Sequence, residues 1–184
     1  MNKTLLSTAL VATMAAVGFA PTAQAVDGTI NITGKVVPQT CKVESTAFGT
    51  PATKAVALPV VLASDLAAAG NTSKKTAFTL AISGCDTALG SVQTFFSGTN
   101  IDASTGNLKL TSASPATNVQ IQLLNDSDAP MPLNGATATA QSSQVVALSS
   151  GAATLSYSAQ YVAVGGAAGA GSADTSVEFT MNYL

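Results

Sequence analysis

The chain has 184 residues, with seven basic side chains, nine acidic ones and no histidine. Charged residues make up 9% of it, against about 25% in ordinary soluble proteins, and every basic residue is a lysine. This balance argues against a nucleic-acid partner. Without histidine there is no Ser-His pair, no imidazole acid or base and no histidine metal ligand, so the sequence predicts a protein that is not an enzyme and holds no cofactor.

The first segment is typical of a cleaved secretory leader. Lys3 supplies a basic start, Leu5 to Phe19 form an apolar run, and Ala23-Gln24-Ala25 is a small-x-small cleavage site. At about 15 residues, the apolar run is shorter than the roughly 17 to 25 residues that a membrane-spanning helix needs. We therefore predict a signal peptide over residues 1–25 and a mature chain that starts at Val26.

The mature chain opens with strict alternation of side chains. Polar residues separate small or apolar ones, and in an extended strand such alternation places the two sets on opposite faces. The small or apolar face comprises Val26, Gly28, Ile30, Ile32, Gly34 and Val36. This face has to be buried against something.

Short strand-like runs separated by turn residues fill the rest of the chain, the pattern of an all-β sandwich or barrel. One helical turn is predicted over Leu62 to Ala69, as a connector. The Ala/Gly-rich stretch Gly165 to Gly171 is predicted to be a loop. Predicted strands cover Gly28 to Val37, Thr40 to Ser45, Ala55 to Val61, Thr76 to Ser83, Val92 to Ser97, Leu108 to Leu110, Val119 to Asn125, Gln144 to Leu148, Thr154 to Val164 and Thr175 to Tyr183.

Cys41 and Cys85 are the only two cysteines. The leader sends them to an oxidising compartment, so we predict one disulfide between them. A free reactive thiol is the alternative, but no histidine and only isolated lysines are near either cysteine in the sequence to lower its pKa.

The last residues repeat the alternation seen at the start. From Gly171 the apolar face carries Ala173, Thr175, Val177, Phe179, Met181 and Tyr183, with polar residues between them. Both ends of the mature chain therefore carry an apolar strand face, and such strands can join molecules as well as complete one.

Several sequence motifs, in order and with similar spacing, resemble those of one family. They are the run from Gly28 to Cys41, Gly84-Cys85-Asp86-Thr87, Gly98 to Asp102, Ala116 to Val119 and the penultimate Tyr183. Together they are similar to the major fimbrial subunits, or pilins, of chaperone-usher fimbriae, and most of all to type 1 pilus rod subunits.

The resemblance implies an incomplete immunoglobulin-like β-sandwich at residues 38–184, completed by a donor strand from another subunit. The donor strand would be residues 26–37, with the alternating face from Val26 to Val36 described above. A C-terminal strand would line the acceptor groove and pair with a chaperone; its residues are Gly171, Val177, Phe179, Met181, Tyr183 and Leu184.

The function implied is that of a structural shaft subunit that supports cell adhesion. Its partners would be identical or related pilins in an open filament, a periplasmic chaperone and an outer-membrane usher, with no nucleic acid. It would cross the periplasm to a fimbrium on the cell surface. The alternatives are a minor adaptor or terminator pilin, and a self-contained secreted β-sandwich that binds another molecule.

Overall fold

A computed structural model describes residues 41–46 and 49–184. The predicted signal peptide and the strand predicted at Gly28 to Val37 lie outside these residues. The described part contains one 3-10 turn, Ala63–Leu66, within the predicted helical turn. Its strands are β1 (Lys42–Val43), β2 (Thr72–Ser83), β3 (Ser91–Ser97), β4 (Leu108–Lys109), β5 (Val119–Leu124), β6 (Val145–Ala147), β7 (Ala153–Ala163) and β8 (Glu178–Tyr183).

The strands form two sheets that face each other. The larger sheet has the order β1-β2-β7-β5-β4 and the smaller has the order β6-β3-β8. All strand pairs in both sheets are antiparallel. The all-β sandwich predicted from the sequence is confirmed.

The core lies between the two sheets and centres on Tyr157 of β7. Its ring packs edge-on against the ring of Phe96 of β3, with centroids 5.2 Å apart. It also packs against the ring of Phe78 of β2 in a tilted arrangement, with centroids 5.7 Å apart. The Tyr157 hydroxyl is 3.1 Å from the Ser143 hydroxyl, so the buried phenol keeps a hydrogen-bond partner. Burial raises the pKa of Tyr157. The alternating inward residues of β2, β3 and β7 thus supply the contacts between the sheets.

One predicted strand is wrong. Ala55 to Val61 has no secondary structure. Among the described residues no backbone hydrogen bond joins this segment to another strand, and a cavity of about 380 Å³ is lined by residues 54–57 and by residues 76–79 of β2. The β-propensity of its valines favours an extended strand, but only a paired partner makes one. The strand predicted over Thr40 to Ser45 is reduced to β1, because the backbone turns at Glu44 and Ser45, where φ is positive.

The predicted disulfide is confirmed. Cys41 and Cys85 are bonded and both are buried. Gly151 packs against this bridge, since the Cys85 N–H donates to the Gly151 carbonyl at 3.0 Å. A Cβ atom on Gly151 would lie 2.5 Å from the Cys85 carbonyl oxygen, and the φ of Gly151 is +72°. Only glycine fits this position without displacing the backbone beside the bridge.

We predict that Gly151→Ala destabilises the domain far more than Gly70→Ala. Gly70 has a similar φ of +88° but open space around it, so it shares the backbone penalty of about 1 to 2 kcal/mol without the collision. The collision at Gly151 should cost about 1 to 3 kcal/mol more. Urea unfolding with the disulfide intact measures the difference. Equal midpoints for the two variants would contradict the prediction.

Candidate functional site: an open sheet edge above an apolar groove

Strand β8 is paired on one side only. It runs antiparallel to β3, and among the described residues no strand pairs with its other edge. The last residue shows which residues of β8 bond to β3. The Leu184 N–H donates to the Ser91 carbonyl at 2.9 Å, and the Ser91 N–H donates to the Leu184 carbonyl at 3.1 Å. Because backbone groups alternate between the two edges of a strand, the N–H and C=O groups of Phe179, Met181 and Tyr183 point away from β3.

The open edge continues beyond the N-terminal end of β8. The carbonyls of Ser172 and Asp174 accept hydrogen bonds from the backbone N–H groups of Ala116 and Thr111, at 3.3 and 2.8 Å. The Ser176 carbonyl accepts one from the Asn100 side chain at 3.1 Å. These even-numbered residues face the body of the domain, so the odd-numbered ones face the open edge from residue 173 to residue 183.

An apolar groove of about 1010 Å³ lies beside this edge. The side chains that share the open edge's odd numbering point into it and are half-buried. Across the groove lies the segment of residues 49–58. The floor is made by core side chains of both sheets, among them Phe78, Leu80, Phe96, Leu108, Ile121 and Tyr161. Of these floor residues Phe78 and Tyr161 are half-buried and the other four are buried, so the side chains left partly exposed along this edge are those two rings and the side chains of the walls.

Two tyrosines in the groove wall and floor are partly withdrawn from water. Burial raises the pKa of Tyr183, and burial together with the Asp174 carboxylate raises the pKa of Tyr161. The groove therefore disfavours charge on the groups that face it.

The segment of residues 49–58, across the groove from β8, is held by an ion pair at Lys54. The Lys54 ammonium is 2.8 Å from the Glu44 carboxylate, and the other carboxylate oxygen of Glu44 accepts the Ala81 N–H at 2.7 Å. The hydrogen bond that the Lys54 ammonium donates to the Glu44 carboxylate lowers the pKa of Glu44. Val56 and Leu58 are half-buried toward the groove, while Val60 and Leu62 are exposed. This second wall is an unpaired segment tied to β2.

The other side of β3 is covered along its length by β6 and by one buried side chain. Strand β6 pairs with residues 91–93 of β3, and beyond its reach the side-chain amide of Gln141 takes the place of a strand. It accepts the Phe96 N–H at 2.9 Å and donates to the Phe96 carbonyl at 2.7 Å, and its donors also reach the Leu133 carbonyl at 2.8 Å. Gln141 is fully buried. The backbone of β3 is therefore bonded on both sides, whereas β8 is paired on one side only and its unpaired side borders the groove.

The structure brings together four of the six C-terminal residues predicted for the groove, namely Val177, Phe179, Met181 and Tyr183. Gly171 and Leu184 do not line it. Gly171 lies against the loop before β5, where a Cβ atom would be 2.5 Å from the Ala116 nitrogen. Leu184 closes the ladder with Ser91, and its side chain is 60% exposed.

The predicted donor residues Val26, Gly28, Ile30, Ile32, Gly34 and Val36 lie outside the described residues. Sequence reasoning missed Gln141 and the floor residues Leu108 and Tyr161. The alternation of apolar residues along β7 could have predicted that Tyr161 faces the groove. Nothing in the sequence singled out Gln141 from the other glutamines.

Within residues 41–46 and 49–184 no group of histidine, cysteine or acidic side chains is arranged to hold a metal ion. None of the helices described there is long and apolar enough to cross a membrane.

The fold is the immunoglobulin-like sandwich of chaperone-usher pilin subunits. A solved structure of a chaperone-usher pilus superposes with a TM-score of 0.58 at 20% identity, covering 90% of this chain and 100% of that one. The chain belongs to the fimbrial protein family, whose sequence profile, described as "Fimbrial protein", matches residues 30–184.

Curated relatives agree with this assignment. The F17 fimbrial protein of Escherichia coli is 40% identical over 164 residues, which cover 86% of this chain and 88% of the relative. The major fimbrial subunit SMF-1 of Stenotrophomonas maltophilia is 38% identical, and the match covers 88% of this chain and 95% of the relative. The family predicted from the sequence is therefore confirmed.

Proposed function

We propose that this fimbrial subunit polymerises head-to-tail, with the segment of residues 26–36 of one copy inserted as a strand along the open edge of the next. The observation that carries the proposal is the unpaired edge from residue 173 to residue 183 above an apolar groove. An open edge beside half-buried apolar side chains favours the addition of one strand. We call residues 26–36 the arm.

The arm carries the apolar side chains and the backbone hydrogen-bonding groups that could complete the groove. Its apolar face would cover the floor residues, and its backbone would pair with the odd-numbered residues of the edge. Each buried Val or Ile contributes roughly 1.5 to 3 kcal/mol, and each new backbone hydrogen bond roughly 0.5 to 1.5 kcal/mol. Several of each make a joint that dissociates slowly.

Chain length favours an arm from another copy when the arm runs antiparallel to β8. Its last residue, Val36, would then lie near Ala173, while Cys41 is fixed by Cys85 at the Tyr183 end of the groove. Residues 173–183 span about 34 Å when extended. The five steps from Val36 to Cys41 reach at most about 18 Å. A chain could not fill its own groove in that direction.

Insertion into a second copy does not close on itself. The donor surface and the acceptor surface differ, so each added copy presents a new groove or a new arm, and the product is an open filament. This supports a shaft subunit on a surface fimbria rather than a self-contained secreted sandwich, whose edges would be closed within one chain.

An uncovered apolar groove also needs protection before assembly, because exposed edges aggregate. We propose that a periplasmic chaperone covers the groove after export and that an outer-membrane usher exchanges the chaperone for the next arm. The chain would have no enzymatic activity of its own.

The test is removal of the arm. A mature chain without residues 26–36 should be exported and accept an arm, but it should form no fibres alone. Mixed with full-length chain, it should appear as at most one copy per fibre and shorten the fibres seen by electron microscopy. Long fibres made of the truncated chain alone would reject the proposal.

A further inference from the structure

Met181 places a thioether in the wall of the groove, on the open edge of β8. We propose that Met181 is a site of reversible oxidation. A hydroperoxide converts its thioether to a sulfoxide in the unassembled subunit, and the modified groove accepts an arm poorly. The modification itself is independent of the arm, whereas its effect on assembly rests on the proposed function.

The methionines of the domain lie in different surroundings. The chain has four methionines, of which Met1 and Met14 fall in the predicted leader. Met131 is 1% exposed and belongs to the core, whereas Met181 is half-buried and lines the groove. Oxidation requires that the oxidant reach the sulfur, so its rate follows exposure. Met181 should therefore react first, and Met131 is a reference within the same molecule.

The sulfur of Met181 is held by Thr94 of β3. The two residues are opposite each other in the strand pair, and the Thr94 hydroxyl donates to the Met181 sulfur at 3.5 Å. Thr94 is fully buried. A thioether sulfur is a weak acceptor with two lone pairs, and this hydrogen bond uses the one on the side of β3. The other lone pair is left for an oxidant that enters through the groove.

The reaction is a two-electron transfer of one oxygen atom. The free lone pair of the sulfur attacks one oxygen of the hydroperoxide, so an S–O bond forms as the O–O bond breaks. The proton on the attacked oxygen moves to the leaving oxygen. The sulfur is oxidised to a sulfoxide, and the hydroperoxide is reduced to an alcohol, or to water when the oxidant is hydrogen peroxide.

A sulfoxide at residue 181 changes the chemistry of the groove wall. The new oxygen is bound through the lone pair that faces the groove, so it points away from the Thr94 hydroxyl. The arm's inward side chains are valine, isoleucine and glycine, which donate no hydrogen bond to it. Insertion would then bury an unpaired polar atom. We expect this burial to lower the yield of assembly about fivefold or more.

The state of the groove and the geometry of the sulfur both leave a chemical signature. An inserted arm would cover Met181, so oxidation should stop once the subunit is in a fibre. Because the oxidant approaches the sulfur from one side, one of the two sulfoxide epimers should dominate. Methionine sulfoxide reductases reverse the oxidation, and each of the two enzymes reduces one epimer. A single reductase should therefore repair Met181.

The first experiment compares the two methionines in the free and assembled chain. The mature full-length chain is separated by sedimentation into monomers and fibres, and both are treated with dilute hydrogen peroxide. Peptide mass spectrometry follows the gain of one oxygen. In monomers Met181 should react several-fold faster than Met131, and equal rates would overturn the proposal. Rapid oxidation of Met181 in fibres as well would reject the covered groove, and with it the proposed function, while the modification site stands.

The second experiment measures the effect on assembly. Monomers are oxidised, freed of peroxide and allowed to form fibres, and Met181→Leu is the matched control because it keeps a similar apolar volume without the sulfur. Oxidation should lower the fibre yield of the parent but not that of Met181→Leu, and one reductase should restore it. An equal loss in Met181→Leu would overturn the effect on assembly. A yield restored only by both reductases together would overturn the one-sided attack set by Thr94.

Discussion

Replacing Ile32 by aspartate should abolish fibre formation while leaving export of the subunit intact. Ile32 is in the middle of the arm's apolar face, which the proposed insertion would bury in the groove. Loss of the buried isoleucine removes roughly 1.5 to 3 kcal/mol, and burial of an unpaired carboxylate adds a penalty of several kcal/mol.

At 1.4 kcal/mol for each factor of ten, the combined loss should weaken each joint by at least about a hundredfold. The mass of fibres sheared from cells measures the effect. Thr29→Asp is the matched control, because it adds the same charge on the outward face of the arm. If Ile32→Asp and Thr29→Asp yield the same fibre mass, the apolar face of the arm does not enter the groove.

Removal of the disulfide should have the largest effect on the fold itself. Cys41→Ser with Cys85→Ser opens a covalent loop with a sequence separation of 44, and a loop of that size is worth about 4 kcal/mol in the chain-entropy model. The net stability of a domain is typically about 5 to 15 kcal/mol. We therefore expect a large fall in the amount of folded subunit recovered after export.

The bridge also anchors the start of the wall that faces β8, so its loss should loosen the groove as well as the core. A second variant, Cys41→Val with Cys85→Ala, keeps apolar packing but not the covalent bond, and should recover little of the lost stability. Urea midpoints of the two variants equal to that of the parent would contradict the prediction.

The chain's architecture follows from the alternation of apolar and polar residues in its strands and from the turn residues between them. Strands β2, β3, β5 and β7 were predicted within a few residues, because half-buried antiparallel strands alternate and are bounded by turn residues. The segment from Ala55 to Val61 is apolar throughout and rich in strand-forming residues, yet it lacks a partner. Pairing depends on what lies beside a strand in space, and the sequence of the strand alone does not contain that information.

The candidate site was predicted in part for the same reason. The apolar face from Val177 to Tyr183 is visible in the sequence, whereas the openness of its edge depends on whether another strand lies beside β8. Gln141 is the clearest case of a role that the sequence conceals. Its amide substitutes for a strand only because the fold places it beside Phe96.

The disulfide has a mechanical consequence for a fibre held together by inserted strands. Cys41 lies five residues after Val36, so tension on a donated arm enters the donor through Cys41 and passes by the sulfur bridge directly to Cys85, between β2 and β3. The short ladder of β1 then carries little of the pull. At the acceptor the load runs along the seated strand, which shears all its hydrogen bonds together instead of peeling them one at a time, so a stretched fibre should yield elsewhere before its joints part.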